Sequence, residues 1–478
     1  MIYLQAITTT MKFHLLLLFV ILSGQCLSQQ IQVMPYIQPG NAPTLSREEK
    51  VIIWQTDSIP GSFTVEYGTN KRYTLSATVT STPLDLQNAH PIIYRATLPD
   101  LQFNKQYHYR VKLNGSIVAS ASFSTRTTKA SSRFVVFGDC GIGTAHQAKI
   151  AYQTYLQKPQ FVLITGDNVY QRGRASEYLK NYFPYFNATE PSREKGVPLM
   201  SSVPFYVVVG NHDVWAADFN TYPDGLAYFY YYDLPLNAPV FKRTVTAKGN
   251  SEQLAAFKKA TEPRFPNMTN YSFDHGNVHI VCIDANVYVH PFEQDFLQWL
   301  ENDLKSSKAK WKIVNYHQPG FNSSNAHYSQ QWMRAIAPVL ERSGVDLVLN
   351  GHVHNYQRSH PLLFAPNLTS SGEPIIDKSG KVDGTFTLDT TFDGKKNTSP
   401  KGVVYIVTGA AGAGLYDTAF SNKPEKWIHE PKTNWVPFTA NFISHVHSFS
   451  LVETNGNKLT FKQLDIEGKL IDEIMIKK

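Results

Sequence analysis

The chain consists of short apolar runs that end in polar turns, and the character of these runs changes near residue 130. Before that point apolar and polar positions alternate, as in Phe63–Tyr67 and Tyr107–Leu113, with turn sequences such as Asn114-Gly115 between them. Alternation with a period of two is typical of antiparallel strands that bury one face. The pattern predicts an all-β sandwich over residues 29–127, followed by a polar linker at residues 128–133.

After the linker the apolar runs become continuous and alternate with helical patterns. The runs are Phe134–Phe137, Phe161–Ile164, Phe205–Val209, Val278–Ile283, Ile313–Tyr316, Leu347–Leu349 and Val403–Val407. Helices are predicted at Ala145–Gln157, Glu293–Lys305 and Gln330–Arg342. Strands that alternate with helices predict a layered α/β catalytic domain over residues 134–478, which includes a C-terminal β segment. The aromatic-rich stretch Val214–Pro266 interrupts it as an irregular insertion at the rim of a site.

The first residues have the pattern of a secretion signal. Lys12 precedes the apolar run Leu15–Leu22, and small residues follow it. This run is too short to cross about 30 Å of hydrocarbon. We predict a signal peptide at residues 1–28, with Met11 as an alternative start, and a secreted or periplasmic product without a transmembrane segment. Cys26 leaves a lipid anchor open, although the bulky Gln25 before it disfavours one.

Composition narrows the kinds of site that the chain can hold. A net charge of +7 without a basic run gives no reason to expect nucleic-acid binding. The 13% aromatic and 17% charged residues exclude disorder and a coiled coil. Three cysteines exclude a four-thiolate zinc site, so any metal must be held by carboxylates and by some of the 16 histidines. Cys140 and Cys282 could pair, but buried free thiols are the favoured prediction.

Five polar motifs directly follow five of the apolar runs. They are Gly138–Gly141 (GDCG), Gly166–Tyr170 (GDNVY), Gly210–Asp213 (GNHD), Val314–His317 (VNYH) and Gly351–His354 (GHVH). Ligands of open α/β sheets bind beyond the carboxyl ends of the strands, so the five motifs are expected to converge. Together they supply carboxylate, amide, phenol and imidazole groups, which suit two metal ions that share a bridging carboxylate. Two metals about 3.5–4 Å apart are the arrangement that serves phosphoryl transfer.

The five motifs resemble the signature of the purple acid phosphatases, a family of calcineurin-like metallophosphoesterases, and the preceding region resembles its fibronectin type III-like N-terminal domain. The resemblance implies a layered α/β/β/α catalytic fold. Tyr170 is the residue that generic members of the superfamily lack. By motif position, an Fe(III) ion would be held by Asp139, Tyr170 and His354, and a divalent iron, zinc or manganese ion by Asn211, His317 and His352. Asp167 would bridge the two.

The same resemblance implies the chemistry and its catalytic residues. His212 would donate to the phosphate and protonate the leaving oxygen, and metal-bound hydroxide would attack phosphorus. His327 would be a second donor on the substrate side, although Ala326 stands where plant members often have another histidine. We therefore predict a secreted acid phosphatase that hydrolyses phosphate monoesters.

Phosphodiester or nucleotide hydrolysis at the same site and, more remotely, a non-catalytic binding protein stay open as alternatives. The physiological substrate, the divalent metal, the oligomeric state and glycosylation of the Asn-x-Ser/Thr sites are not determined by the sequence. His445-Val446-His447 imitates the last motif but lacks its glycine turn, and we do not expect it to reach the site, because Leu451-Val452 and Leu459–Phe461 after it suggest a closing pair of strands.

Overall fold

The computed structural model describes residues 29–429 and 436–478. The predicted signal peptide at residues 1–28 lies outside the described residues. Among the described residues, the helices are all too short or too polar to cross a lipid bilayer.

The N-terminal region folds into two four-stranded antiparallel sheets. Its strands are β1 (Ile31–Gln38), β2 (Lys50–Thr56), β3 (Phe63–Gly68), β4 (Leu75–Ala77), β5 (Val79–Pro83), β6 (Ile92–Leu98), β7 (Gln106–Leu113) and β8 (Ser116–Ser124). The sheet orders are β1-β2-β6-β5 and β4-β3-β7-β8. Trp54 and Tyr94 stack between them with ring centroids 5.4 Å apart. The backbone N–H of Gln102 donates to the hydroxyl of Tyr107 (3.2 Å), the contact that a corner tyrosine makes.

Two larger sheets form the second region. Its strands are β9 (Ser131–Phe137), β10 (Phe161–Ile164), β11 (Asn187–Ser192), β12 (Gly196–Pro198), β13 (Phe205–Val207), β14 (Tyr271–His275), β15 (Val278–Cys282), β16 (Trp311–Asn315), β17 (Leu347–Asn350), β18 (Tyr356–Ser359), β19 (Leu362–Pro366), β20 (Gly384–Leu388), β21 (Val404–Thr408), β22 (Thr439–Ile443), β23 (Ser448–Asn455), β24 (Lys458–Asp465) and β25 (Leu470–Lys477). The six-stranded sheet has the order β13-β10-β9-β23-β24-β25, and the seven-stranded sheet has the order β14-β15-β16-β17-β21-β18-β22. Strands β13, β10 and β9 are mutually parallel, as are β15, β16, β17 and β21.

The helices cover the outer faces of these sheets. They are α1 (Ala145–Leu156), α2 (Ala175–Asn181), α3 (Phe183–Phe186), α4 (Tyr228–Tyr231), α5 (Ser251–Thr261), α6 (Gln294–Ser306) and α7 (Ala337–Arg342), with 3-10 turns at Asn267–Thr269, Trp332–Ile336, Thr418–Phe420 and Pro424–Lys426. Phe161 meets Phe273 of the other sheet at 5.6 Å, whereas Phe137, on the opposite face, meets Phe186 of α3 at 5.7 Å. Side chains of the seven-stranded sheet alternate between its two faces in the same way. Ile280 faces the core between the sheets, and Val281 faces α6. The predicted layered α/β/β/α fold behind a β-sandwich is confirmed.

Two local predictions were wrong. The expected helix at Gln330–Arg342 is a 3-10 turn followed by the six-residue α7, because Pro338 lacks the N–H that a continuous helix would need at that position. The stretch Val214–Pro266 is not wholly irregular, because it contains the eleven-residue α5. The side chains of Asn250 and Gln253 cap the start of α5 reciprocally, which is a local sequence signal for a helix.

Candidate metal centre

The five motifs meet at the carboxyl ends of five strands. The ends of β9, β10 and β13 come from the six-stranded sheet, and the ends of β16 and β17 come from the seven-stranded sheet. The structure brings all seven sequence-predicted ligands together there. They form two groups around the buried carboxylates of Asp139 and Asp167, and the backbone N–H of His352 in the second group donates to Oδ2 of Asp139 in the first (2.9 Å).

The first group contains Asp139, Tyr170 and His354. The Tyr170 hydroxyl donates to Oδ1 of Asp139 (3.0 Å) and lies 3.1 Å from Nε2 of His354. Nε2 of His354 lies 3.5 Å from the same Asp139 oxygen. All three side chains are buried. One phenol, one carboxylate and one imidazole therefore point at a common position.

The second group contains Asp167, Asn211, His317 and His352. Nε2 of His317 lies 3.3 Å from Oδ2 of Asp167 and 3.2 Å from Oδ1 of Asn211. One ligand atom from each of Asp167, His317 and His352 lies within 4.8 Å of the others, a spacing that fits one metal ion. This group offers one carboxylate, one neutral amide and two imidazoles.

Hydrogen bonds to backbone carbonyls fix the orientation of two of the histidines. Nδ1 of His317 donates to the carbonyl of Thr165 (2.8 Å), and Nδ1 of His354 donates to the carbonyl of Gly414 (2.8 Å). Each bond fixes Nδ1 as the donor and directs Nε2 into the site, which is the arrangement found in metal-ligating histidines. His354 is also held by Tyr416, whose ring stacks on it at 4.1 Å.

Burial and charge set the ionisation of the ligands. Burial lowers the pKa of His317, but the charge and hydrogen bond of Asp167 outweigh it and raise that pKa to about 9. Burial, and then the neighbouring His317 and His327, hold the pKa of His352 well below its ordinary value, so this ring is neutral. Burial and the charges of Asp139 and Asp167 raise the pKa of Tyr170 well above 10. A phenolate at Tyr170 therefore needs a strong cation beside it.

The backbone at the site is strained and tightly packed. Asp139, Asp167 and His352 have φ values of 60°, 50° and 67°, in the left-handed region that side chains rarely adopt outside functional sites. A Cβ on Gly210 would lie 2.1 Å from Oδ1 of Asp167, and one on Gly166, where φ is 96°, would lie 2.6 Å from Nδ1 of His317. Glycine at these two positions is what allows the motifs to approach each other.

The two sequence-predicted catalytic histidines lie beside the ligands. Nδ1 of His212 donates to the carbonyl of Gln171 (2.6 Å), and its Nε2 lies 3.9 Å from Oδ2 of Asp167. The His327 ring lies over the His352 ring, with centroids 3.9 Å apart. Gln330 connects these two rings, because it accepts from Nε2 of His352 (2.7 Å) and donates to Nδ1 of His327 (3.2 Å).

Sequence reasoning missed Asp213, which holds two of the motifs together. Its buried carboxylate accepts hydrogen bonds from the backbone N–H groups of Asn168 (3.1 Å) and Gly210 (2.8 Å) and from the Asn168 side chain (2.9 Å). Asp213 thus ties the turn after β10 to the turn after β13. Asp213 is the last residue of the GNHD motif, so the motif itself pointed to this residue. Its partner Asn168, however, follows a different strand.

The other features singled out in the sequence lie outside the two ligand groups. Cys140 and Cys282 are buried free thiols, as predicted. His447 donates through Nδ1 to the carbonyl of Ala410 (3.1 Å) and stacks on His146, next to the start of β23. The glycine-rich loop at residues 409–414 packs against the site, where the backbone N–H of Ala413 donates to the carbonyl of Asp139 (3.0 Å).

Comparison with known proteins agrees with this geometry. The family model for calcineurin-like phosphoesterases matches residues 132–356, and that for the N-terminal domain of purple acid phosphatases matches residues 38–127. The chain belongs to the purple acid phosphatase family. The first match covers all seven candidate ligands, and the second covers strands β2 to β8 of the β-sandwich. Residues after 356 lie outside both matches.

Curated relatives support membership of this family. The chain is 27% identical to purple acid phosphatase 15 of Arabidopsis thaliana over 56% of its own length and 50% of the relative's. It is 27% identical to a phosphoenolpyruvate phosphatase of Allium cepa over 76% of its own length and 70% of the relative's. A probable inactive purple acid phosphatase 9 of Arabidopsis thaliana is 30% identical over 42% of the chain and 30% of the relative.

Two solved structures share the fold of the chain. A purple acid phosphatase from yellow lupin (Lupinus luteus) seeds superposes with a TM-score of 0.62 over 93% of this chain and 74% of that one, at 17% identity. PhoD superposes with a TM-score of 0.57 over 93% and 90%, at 14% identity. The match to purple acid phosphatase 15 spans half of that relative's length.

Proposed function

We propose that the chain is an exported acid phosphatase that hydrolyses phosphate monoesters at a dinuclear metal centre. The observation that carries the proposal is the convergence of seven ligand groups from both sheets into two adjacent sets. Family membership and the fold support it. Export rests on the signal-peptide pattern of residues 1–28.

The residues present fit one trivalent and one divalent cation. Asp139, Tyr170 and Asp167 contribute hard anionic oxygens, and the raised pKa of Tyr170 means that a strongly polarising ion is needed to ionise it. Such an ion would be Fe(III), held by Asp139, Tyr170 and His354. Asn211 and His352 are neutral, and His317 becomes neutral when a metal replaces the proton on its Nε2, so the three suit a divalent iron, zinc or manganese ion. Asp167 lies between the sets and would bridge both ions.

When bound, such a pair of ions activates water and neutralises the charge of the phosphate. The residues of the chain supply the rest of the chemistry. His212 is fixed by its Nδ1–H bond to the carbonyl of Gln171, so its Nε2 is the nitrogen that faces the site. In the imidazolium form Nε2 also carries a proton, and it can pass that proton to the oxygen of the leaving alcohol.

His327 is proposed as a second donor to the substrate. It lies on the His352 side of the site, is linked to that ring through Gln330, and faces Tyr416 at 5.8 Å. Burial, and then the neighbouring His354 and His317, lower the pKa of His327. A neutral ring at this position donates one hydrogen bond to a phosphate oxygen without adding charge beside the metals.

Metal analysis combined with a visible spectrum and substrate hydrolysis tests the proposal. We expect two metal ions per chain, at least one of them iron, an absorption band from tyrosinate bound to Fe(III), and hydrolysis of an aryl phosphate monoester faster than that of the matched diester. Iron-loaded protein without the band would overturn the assignment of Tyr170. A faster rate on the diester would favour phosphodiester hydrolysis, and fully metallated protein inert towards both esters would indicate a binding protein.

A further inference from the structure

An exposed tryptophan lies beside the proposed acid. The Trp215 side chain is 57% exposed, and its ring centroid lies 5.6 Å from that of His212, with the two planes 24° from parallel. The backbone N–H of Trp215 donates to the carbonyl of His212 (3.4 Å), so both residues belong to one turn after β13. A single exposed apolar side chain is common on protein surfaces. Trp215 differs from such residues because its ring lies directly against the ring of the proposed catalytic His212.

An arginine lies against the same indole. The guanidinium carbon of Arg172 lies 5.6 Å from the Trp215 ring centroid and 5.3 Å from that of Tyr222. Within residues 29–429 and 436–478 the Arg172 side chain forms no ion pair and no hydrogen bond. Its backbone is nevertheless held in place, because the N–H groups of Gln171 and Arg172 donate to the carboxylate of Glu177 (2.6 and 3.0 Å). Arginine on an aromatic face steadies the ring and keeps its N–H donors available.

The orientation of His212 shows where the organic part of a substrate must lie. If Nε2 of His212 protonates the leaving oxygen, that oxygen lies next to this nitrogen, on the side of Asp167. The phosphate then faces the metal ligands, and the remainder of the alcohol extends past the His212 ring. The exposed indole of Trp215, three residues further along that turn, lies against this ring.

We propose that Trp215 and Arg172 form a leaving-group platform that makes the enzyme prefer phosphate esters of alcohols with a planar aromatic ring close to the ester oxygen. The inference rests on the proposed function and deepens it, since it assigns a substrate class to the same site. A planar ring can stack on the indole, whereas a saturated ring of equal size cannot. Stacking of an aromatic group on an aromatic side chain contributes about 1 kcal/mol beyond the burial of area, which corresponds to a preference of about fivefold.

Kinetics on two matched esters test the platform. Phenyl phosphate and cyclohexyl phosphate differ in ring planarity and in leaving-group reactivity, and the second difference cancels when kcat/KM ratios are compared between variants. We expect Trp215→Ala to lower the phenyl-to-cyclohexyl ratio about fivefold, Arg172→Gln to lower it less, and Trp215→Phe to retain most of it. Ile117→Ala removes a side chain that is 55% exposed on the β-sandwich and serves as the control. Equal losses on both esters in Trp215→Ala would overturn the proposal.

Binding of phenylphosphonate and cyclohexylphosphonate to the metal-loaded protein, measured by calorimetry, gives a second readout that does not depend on turnover. The wild type is expected to bind the phenyl compound about fivefold more tightly, and Trp215→Ala is expected to bind the two equally. If the wild type hydrolyses neither ester but still discriminates between the phosphonates, the proposed function fails and the platform stands. If the wild type binds both phosphonates equally, the platform is wrong whatever the activity.

Discussion

The hydroxyl of Tyr170 donates a 3.0 Å hydrogen bond to Oδ1 of Asp139. Both groups are buried, and burial together with the nearby carboxylates raises the pKa of the phenol well above 10. In the absence of a cation the phenol keeps its proton. Ionisation of Tyr170 therefore reports directly on a strongly charged metal ion at this position.

Replacement of Tyr170 by phenylalanine tests this assignment. Tyr170→Phe removes the phenolate oxygen and preserves the ring, so we expect an iron-loaded protein that lacks the tyrosinate-to-iron band. Visible absorption at matched iron content is the measurement. Tyr416→Phe is the matched control, because Tyr416 stacks on His354 but belongs to neither ligand group, and its band should be unchanged. A band that persists in Tyr170→Phe would show that another residue binds the iron.

Removal of the two carboxylates should have unequal effects on metal content. Asp167 contacts His317 within the second group and also hydrogen-bonds Tyr170 of the first, whereas Asp139 contacts only Tyr170 and His354 among the candidate ligand side chains. We expect Asp167→Asn to lose both ions and activity, and Asp139→Asn to lose chiefly the trivalent ion. Metal analysis after dialysis against a weak chelator measures both. Equal metal content in the two variants would contradict the bridging role of Asp167.

The role of His212 as an acid predicts a dependence on the leaving group. His212→Asn should lower kcat by about 10²- to 10⁴-fold for esters of weakly acidic alcohols, which need a proton on departure. For 4-nitrophenyl phosphate, whose leaving group departs as an anion, the loss should be much smaller. Rates over a series of aryl and alkyl phosphates provide the test. A loss of the same size across the series would mean that His212 binds phosphate but does not protonate the leaving oxygen.

His279 predicts a loss of stability at alkaline pH. Burial lowers its pKa, but hydrogen bonds to Asp274 (2.8 Å) and Asp303 (2.9 Å) outweigh that effect and raise the pKa to about 9, against 6.5 in the unfolded chain. Because the folded-state pKa is the higher one, the stabilisation is complete below about pH 6.5 and is lost as the pH rises through 9. Its size is about 3 kcal/mol at most.

Chemical unfolding at pH 6 and at pH 9.5, at constant metal loading, measures this effect. His279→Gln should be less stable than the wild type at pH 6 and close to it at pH 9.5. His90 carries a 61% exposed side chain in the β-sandwich and provides the control variant, His90→Gln, which should keep the wild-type pH dependence. If His279→Gln retains the full pH dependence, another group titrates in this range.

The arrangement of the site was predictable because its ligands follow a local rule. Each of the five motifs begins where a buried parallel strand ends, and parallel strands bring their carboxyl ends to one edge. No such rule predicts the role of Asp213, the partners of His279 or the contact between Arg172 and Trp215. Asp213 binds the turn of a different strand, and Arg172, which follows β10, contacts Trp215, which follows β13. Such contacts depend on how the turns pack in three dimensions, which no local pattern encodes.

The limits of the helices were less predictable than those of the strands. The helices α1 and α6 lie within one residue of their predicted limits, because apolar positions recur along one face and capping is local. The apolar periodicity of the stretch that contains α7 predicts one helix, but Pro338 divides it into a 3-10 turn and the short α7. The periodicity of apolar residues shows which face of a segment is buried, but it does not show whether the segment forms one continuous helix.

Strand β9, which leads into Asp139, pairs on one side with β10 and on the other with β23 near the end of the chain. The backbone N–H of Ser132 donates to the Thr454 side chain, 322 positions away in sequence. During synthesis, β9 therefore has only one of its two neighbours until β23 has emerged. The strand that leads into Asp139 is fully paired only after every candidate ligand up to His354 has been synthesised, because β23 follows all of them in the chain.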